Sequence, residues 1–428
     1  MSGTHSAAPD STALSRHQWS TLGIFGLLAF ACAVDRFILG AVLTPLKADL
    51  ALTDQHVARA GMAFTLAYLL IVPILGFLGD HVKRKPLILG GLVLWSIASI
   101  GGGFATGIVS LLVWRAAVGG GEGAYQSVAP SWLADVFAPN QRGRIFAVYS
   151  GVSILGYTVS YVVGGWLAAQ YGWRVAFYIS GLPGLLLAVA VLLLKEPSRG
   201  QSEGRTEPPP RPTLREAAAL LREPLFLIFV LGNTIQLYAL GGVSFWGPAL
   251  LHRVYGLSNQ EGTAFFGLAF GLAGVAGTLT GGFVAGALRR RFAGAYAAWS
   301  ALVAAACVAT VIPALLAGDA RTAEIWFFVE IFFSTAGLGV STPLLLELVP
   351  LQLRATAQSL VISISMVGST LLQTEVMGYL SDRHGLATAM FLVPAFFTFS
   401  VGLWLVLAVR QRRLAAFAQL PAGSPVPR

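Results

Sequence analysis

Charged side chains are scarce in this sequence. Only 11% of the 428 residues are Asp, Glu, Lys or Arg, whereas an ordinary soluble domain carries roughly 25%. Hydrophobic residues make up 56% of the chain, and apolar stretches long enough to cross a bilayer recur from Trp19 almost to Arg410. This composition excludes a soluble globular protein and predicts an all-α membrane protein.

The sequence also lacks the residue clusters on which most catalytic and metal sites depend. Two cysteines and six histidines are scattered along the chain, without the close ligand spacing of a zinc site. No phosphate-binding loop of the Walker type occurs, which argues against direct use of ATP. We therefore expect no metal, no cofactor and no enzymatic activity. We expect Cys32 and Cys307 to be small buried hydrophobic side chains.

Lys and Arg are placed as in a multi-pass membrane protein. The net charge is +9, but the basic residues lie in short loops and do not cover one solvated face, so we expect no nucleic-acid partner. Twenty of the 28 Lys and Arg residues fall in alternate loops on the side of the N-terminus. The positive-inside rule therefore predicts that both termini are cytoplasmic. We predict that the protein lies in the cell (inner) membrane. We predict twelve spans, at about Trp19–Leu43, Arg59–Gly79, Pro86–Ala105, Ile108–Leu133, Arg144–Gln170, Val175–Leu194, Leu225–Leu251, Gly262–Leu288, Ala293–Leu316, Ile325–Leu348, Ala355–Leu380 and Ala387–Val409.

A polar, proline-rich linker divides the chain into two halves. The run Thr213-Leu214-Arg215-Glu216 has the form of a capping box and predicts a short surface helix at the end of this linker. The predicted organisation is a cytoplasmic tail at 1–18, a six-helix bundle at 19–195, the cytoplasmic linker at 196–223, a second six-helix bundle at 224–410 and a cytoplasmic tail at 411–428.

The two predicted bundles repeat one sequence pattern. Gly-Trp-Leu at 165–167 and a glycine at 172 recur 213 residues later as Gly-Tyr-Leu at 378–380 and a glycine at 385. An acidic residue also stands seven residues before an arginine at the inner end of spans four and ten. Pseudo-symmetric halves joined by a polar linker are typical of transporters that rock around a central site.

Two motifs resemble those of the major facilitator superfamily. Residues 76–85, Gly-Phe-Leu-Gly-Asp-His-Val-Lys-Arg-Lys, resemble the loop signature G-x-L-x-D-(R)-x-G-(R)-(K/R), from which they depart at His81 and Lys83. Residues 115–119, Arg-Ala-Ala-Val-Gly, resemble the span-four motif R-x-x-x-G. This resemblance covers the whole chain. It implies the major facilitator fold, in which two pseudo-symmetric six-helix bundles surround a central cavity.

Within that superfamily the first half is similar to the Spinster family of lipid transporters. The similarity rests on Asp35-Arg36 in span one, on Gly-Glu-Gly-Ala-Tyr at 121–125, and on Ala-Asp-Val-Phe at 134–137. It implies movement of lysophospholipids or sphingoid lipids, coupled to protons. The expected partners are membrane lipids, protons and a small amphiphilic substrate, and we expect a monomer.

Four ionisable residues are predicted near mid-membrane: Asp35, Arg36, Arg115 and Glu122. A charge at the centre of a bilayer helix costs about 2.5–3.5 kcal/mol on insertion scales, so such residues are expected to pair or to function. We assign proton coupling to Asp35 and Glu122, and substrate-headgroup binding or charge pairing to Arg36 and Arg115. A static set of ion pairs that only fixes helix packing is the alternative.

Two further groups of residues carry predicted roles. Charged residues at the inner ends of spans are interpreted as conformational latches: Asp80, Arg84, Lys85, Asp135, Arg142, Glu347 and Arg354. Polar residues inside spans are interpreted as candidate cavity-lining side chains: Gln126, Asn233, Gln236, Tyr238, Glu330 and Ser334.

The sequence leaves the substrate open. We predict a secondary transporter that moves an amphiphilic lipid by alternating access, driven by protons. A transporter of a small soluble organic anion is the alternative within the same class, since an acid–arginine pair in span one also occurs in carboxylate transporters. A membrane-embedded lipid enzyme or sensor is the alternative from another class, and it would need a catalytic constellation or a soluble output module.

Overall fold

The computed structural model describes residues 14–198, 214–349 and 353–417. Within these residues the secondary structure is helical, without a strand. In the first half the helices are α1 Arg16–Ala41, α2 Leu43–Asp49, α3 Asp54–His81, α4 Arg84–Gly102, α5 Ile108–Val136, α6 Pro139–Tyr171 and α7 Trp173–Leu193. In the second half they are α8 Leu214–Leu220, α9 Pro224–Tyr255, α10 Asn259–Ala269, α11 Val275–Arg289, α12 Ala295–Leu315, α13 Ala320–Leu348, α14 Arg354–Leu371, α15 Tyr379–His384, α16 Leu386–Met390 and α17 Leu392–Phe417.

Eleven helical segments of the described chain are long and apolar enough to cross a membrane. α5 is not among them because Arg115 and Glu122 lower its mean hydropathy. Its 29 residues nevertheless span about 43 Å at 1.5 Å per residue, and it packs between α3 and α4. The twelve predicted spans therefore correspond to twelve long helical segments, and α8 lies where the short helix after the linker is predicted.

Two spans of the second half contain a π-helical turn. Phe270–Gly274 joins α10 to α11, and Leu372–Gly378 joins α14 to α15. A π turn inserts an extra residue into a helix and is frequent at functional sites. Each extra residue changes the side of the helix on which the following side chains lie.

The sequence repeat appears as a repeated backbone conformation. Gly172, between α6 and α7, has φ 87°, and Gly385, between α15 and α16, has φ 83°. Residues with a Cβ atom rarely adopt this region, so glycine is required at both corners. The equivalent turns occupy the same place in each half, as the 213-residue offset predicts.

The two halves are joined at the end of the bundle away from the linker. We call the end of the bundle at which α7 ends and α9 begins the linker end, and the opposite end the distal end. Asp54 is the first residue of α3, at the distal end, and is 1% exposed. Its carboxylate accepts hydrogen bonds from both terminal nitrogens of Arg253 on α9, at 2.6 and 2.8 Å. It also accepts hydrogen bonds from Lys47 and Ser381, so charged groups of both halves meet on one carboxylate.

Other contacts strengthen the distal closure. The backbone N–H groups of Asp54 and Gln55 donate to the two carboxylate oxygens of Asp382, at 2.8 and 3.1 Å. Arg59 on α3 pairs with Glu375 in the second π turn. Between described residues, the hydrogen bonds and ion pairs that join the halves lie from mid-bundle to the distal end, and α6 of the first half packs against α10 and the first π turn rather than against α11. The described parts of the two halves are therefore closed at the distal end and diverge toward the linker end.

Asp54→Asn should open the distal end. Removal of one member of a buried ion pair typically costs about 3–5 kcal/mol, and in this structure the pair holds the distal end closed. We expect faster labelling of a Phe245→Cys reporter by an impermeant thiol reagent added from the distal side. Asp49→Asn is the matched control, since Asp49 pairs with Arg174 inside one half. Equal labelling rates for the two variants would contradict a gating role for Asp54.

Candidate functional site

Asp35 and Arg36, adjacent on α1, reach different neighbours. Asp35 is 0% exposed, and its Oδ1 accepts hydrogen bonds from the hydroxyls of Ser99 on α4 and Ser180 on α7, the latter at 2.7 Å. Its Oδ2 has no hydrogen-bond partner among the described residues. The Asp35 carboxyl group is therefore buried, and hydroxyl groups form hydrogen bonds to only one of its two oxygens.

Arg36 forms an ion pair with Glu122 on α5. The guanidinium Nε and Nη2 donate to Glu122 Oε2 at 3.1 and 2.8 Å. Glu122 is 0% exposed, whereas a quarter of the Arg36 side chain is exposed. Glu122 Oε1 has no partner among the described residues. The pairing predicted among the four central charges is thus present for Arg36 and Glu122.

Arg115 lies two turns before Glu122 on α5 and is 2% exposed. Its Nε and Nη1 have no hydrogen-bond partner in the described part of the chain. The guanidinium instead lies 4.9 Å from the centre of the Phe64 ring, and Asp35 and Glu122 are close enough to attract it electrostatically. Arg115 therefore holds unused donors beside the ion pair.

Aromatic rings of α3 support both arginines. The Arg36 guanidinium lies 5.3 Å from the Phe64 ring centre and 5.1 Å from that of Tyr68, and a desolvated cation–π contact contributes about 2 kcal/mol. The Tyr68 hydroxyl donates to Gln126 Oε1 at 2.8 Å, while Gln126 Nε2 lies 3.0 Å from the Cys32 sulfur. Sequence patterns did not indicate Phe64 or Tyr68, because their apolar spacing matches ordinary helix packing.

A cavity lies between the halves beside these groups. Its volume is about 170 Å³, smaller than the roughly 300–1,000 Å³ of most small-molecule pockets. Arg36 and Arg115 are its charged lining residues, and apolar side chains of both halves form most of the wall. The lining residues are Arg36, Phe37, Leu39, Ala58, Gly61, Phe64, Thr65, Arg115, Tyr161, Gly241, Ser244, Phe245, Trp246, Met366, Thr370 and Gln373.

None of the six predicted cavity-lining residues is among those that line this cavity. Gln236 Nε2 donates to the Ser334 carbonyl oxygen at 2.8 Å, and Tyr238 contacts the sulfur of Met377. Asn233 and Glu330 are likewise buried inside the second half. Their membrane depth was predicted from the sequence, but helical periodicity does not say which neighbour a polar face meets. A role for these residues in substrate binding stays a prediction.

Three of the predicted latch residues, Arg84, Asp135 and Glu347, form ion pairs inside their own half. Arg84 Nη1 lies 2.6 Å from Asp135 Oδ2, and Lys85 Nζ donates to the Leu192 and Leu194 carbonyl oxygens. In the second half, Glu347 pairs with Arg289. The side chains of Asp80, Arg142 and Arg354 lie outside the described residues, so their predicted roles stay predictions.

The sequence profile of the Major Facilitator Superfamily matches residues 25–371. The chain belongs to the Major Facilitator Superfamily. This confirms the predicted fold class. Because the superfamily consists of transporters, the match also confirms that the chain is a transporter rather than a membrane-embedded enzyme.

Curated relatives confirm the resemblance to Spinster. The chain is 28% identical over 367 residues to protein spinster of Drosophila melanogaster, covering 83% of this chain and 60% of that protein. It is 34% identical over 230 residues to human protein spinster homolog 1, covering 51% and 43%. The chain thus spans only about half the length of these relatives. An MFS-type efflux pump of Mycolicibacterium smegmatis is 28% identical over 86% of this chain and 85% of its own length.

A solved structure shares the fold. The crystal structure of a bacterial homolog to the human lysosomal transporter Spinster, in an inward-facing and unoccupied conformation, matches with a TM-score of 0.80. The sequences are 21% identical, and the match covers 94% of this chain and 99% of that one.

Gly119→Ala should destabilise the helix contact that carries Phe64. A Cβ atom on Gly119 would lie 2.1 Å from the Phe64 carbonyl oxygen, and such overpacking typically costs 1–3 kcal/mol. We expect a lower Tm in detergent. Gly120→Ala is the matched control, because its Cβ would meet only Ile71, at 3.9 Å. Equal Tm values would show that α3 and α5 tolerate separation here.

Proposed function

We propose that this chain is a proton-coupled secondary transporter that moves an anionic amphiphile, a lysophospholipid or a phosphorylated sphingoid-type lipid, by alternating access. One observation carries the proposal: a cavity between the halves is lined by two guanidinium groups and, over most of its wall, by apolar side chains. An anionic headgroup and a hydrocarbon tail need these two surfaces.

The position of the closure supports alternating access around this cavity. The Asp54 cluster closes the distal end, while the halves separate toward the linker end. Both termini and the linker are predicted to be cytoplasmic, so this conformation corresponds to an inward-facing state. Opening to the other side therefore requires the ion pairs of Asp54 to break.

Proton coupling follows from the charges of the central site. Arg36 and Arg115 carry +2, and ionised Asp35 and Glu122 carry −2, so the empty site is neutral. When an anionic headgroup draws Arg36 away, Glu122 becomes a buried carboxylate without a partner and takes up a proton. An anion and a proton therefore favour each other's binding, whereas a cationic substrate would compete with the proton.

The cavity volume favours a second candidate substrate, a small soluble organic anion. About 170 Å³ accommodates a headgroup but not a long acyl chain, so a lipid tail must leave through the open linker end or between helices. Both substrates use the same arginines and differ only in the need for an apolar path.

Glu122→Gln should separate binding from coupling. The amide imitates the protonated acid, so the variant should bind a lysophospholipid at alkaline pH as tightly as the wild type binds it at acidic pH. Wild-type affinity should increase as the pH falls. Gradient-driven accumulation in proteoliposomes should be lost in Glu122→Gln and in Asp35→Asn. Ser127→Ala on the same helix is the control, since its hydroxyl bonds only its own helix. Wild-type accumulation by both acid variants would refute the coupling role.

A homologous lysophospholipid series should distinguish the two substrates. Each buried CH₂ group contributes roughly 0.8 kcal/mol, so lipid affinity should rise with tail length until the path is filled. Thermal stabilisation of purified protein measures the affinity. Arg36→Lys and Arg115→Lys should weaken headgroup binding at every tail length, because lysine lacks the bidentate fork. Flat affinity along the series, together with tight binding of short carboxylates, would favour the soluble anion.

A further inference from the structure

A buried carboxyl group without a partner lies in the second half. Glu330, on α13, is 0% exposed, and neither of its oxygens has a hydrogen bond of normal geometry among the described residues. Cys307 on α12 and Ser334, one turn further along α13, are the polar side chains close enough to interact with it. Glu330 therefore differs from Glu122, which has Arg36 as its partner.

No described charged group offsets a charge on Glu330. On the helices packed against α13, the buried ionisable side chains are Cys307, which faces Glu330, and Tyr238, which contacts Met377. The remaining ionisable residues of α13 and these helices lie near the helix ends: Tyr296, Arg289, Glu347 and Arg354 at the linker end, and His252, Arg253, Tyr255, Glu261, Arg321 and Glu324 at the distal end. A carboxylate without a partner is strongly disfavoured in such surroundings, so Glu330 carries its proton in this conformation.

Polar side chains continue from Glu330 toward the linker end. Ser334 and Ser341 follow it at 4 and 11 residues along α13, on the same helix face. The Ser341 hydroxyl donates to Asn233 Oδ1 at 2.7 Å, and Asn233 Nδ2 donates to Ser365 at 3.1 Å. Asn233 lies in the third turn of α9, counted from the linker end. These polar groups lie between Glu330 and the linker end, with about 10 Å along the helix axis between Ser334 and Ser341.

We propose that Glu330 is a second proton-binding site, which exchanges its proton with water at the linker end along Ser334, Ser341, Asn233 and Ser365. Release transfers the proton from the carboxyl oxygen to water and leaves a carboxylate. Only the use of this proton for transport rests on the proposed function. The site itself is separate from the Arg36–Glu122 pair, which lies in the other half.

Infrared spectroscopy of the purified protein tests the site directly. A protonated carboxyl group has a carbonyl stretching band that a carboxylate or an amide lacks. Wild type should show such a band at neutral pH, and it should disappear reversibly as the pH is raised on folded protein. Glu330→Gln should lack the band, while Glu122→Gln and Asp35→Asn should retain it. If Glu330→Gln does not fold, Glu330→Asp assigns the band by its shifted frequency.

Deuterium exchange tests the path. In D₂O the band shifts as the carboxyl proton exchanges, and Ser341→Ala should slow that exchange several-fold. Ser300→Ala is the matched control, because its buried hydroxyl bonds only the carbonyl of Tyr296 in its own helix. Equal exchange rates for the two variants would overturn the path.

The results separate this site from the proposed transport function. A band that persists unchanged until the protein unfolds, or that survives in Glu330→Gln, would overturn the proton site whatever the protein transports. A titrating Glu330 band in a protein that does not accumulate lysophospholipid would uphold the site and contradict the proposed function.

Discussion

The Arg36–Glu122 ion pair is the interaction around which the first half is organised. A carboxylate at this depth needs a cation, and the guanidinium supplies two donors to one oxygen of Glu122. The pair fixes α1 against α5, and α3 covers it with the Phe64 and Tyr68 rings. Because Arg115 shares the Phe64 ring, a change in the pair reaches the second arginine without a direct bond between them. The same low dielectric that makes the pair necessary makes it responsive to a proton or an anion.

α3 connects this pair to the distal closure. Asp54 begins the helix and holds Arg253 of the other half, and Phe64 follows ten residues later, about 15 Å along the axis. The close approach of Gly119 to the Phe64 backbone holds α3 firmly on α5. A tilt of the helix that separates Asp54 from Arg253 would therefore also move Phe64 relative to both arginines. α3 therefore joins the Asp54 ion-pair cluster directly to the central charged residues.

The sequence contained more of the fold than of the site. Twelve spans were predictable because each is a long apolar run bounded by loop charges, and only α5, with Arg115 and Glu122, falls below the apolarity of a typical span. The pairing of Arg36 with Glu122 was also predictable, because charges at that depth are costly. The hydroxyl partners of Asp35 were not predictable, since Ser99 and Ser180 approach it from other helices. Gln373 was missed because it lies in a π turn, where the 3.6-residue period fails.

The two halves stabilise buried acids in different ways, and this difference gives them different sensitivities. In the first half, Glu122 is ionised by pairing, so its proton affinity depends on where Arg36 points. In the second half, Glu330 is neutral because nothing described nearby offsets a charge, so its proton affinity depends on access to water. In the proposed transport cycle, rocking of the two halves would change the surroundings of Arg36 and the access of water to α13 together. Pseudo-symmetric halves with unlike acids can therefore respond to one motion with two separate protonation steps.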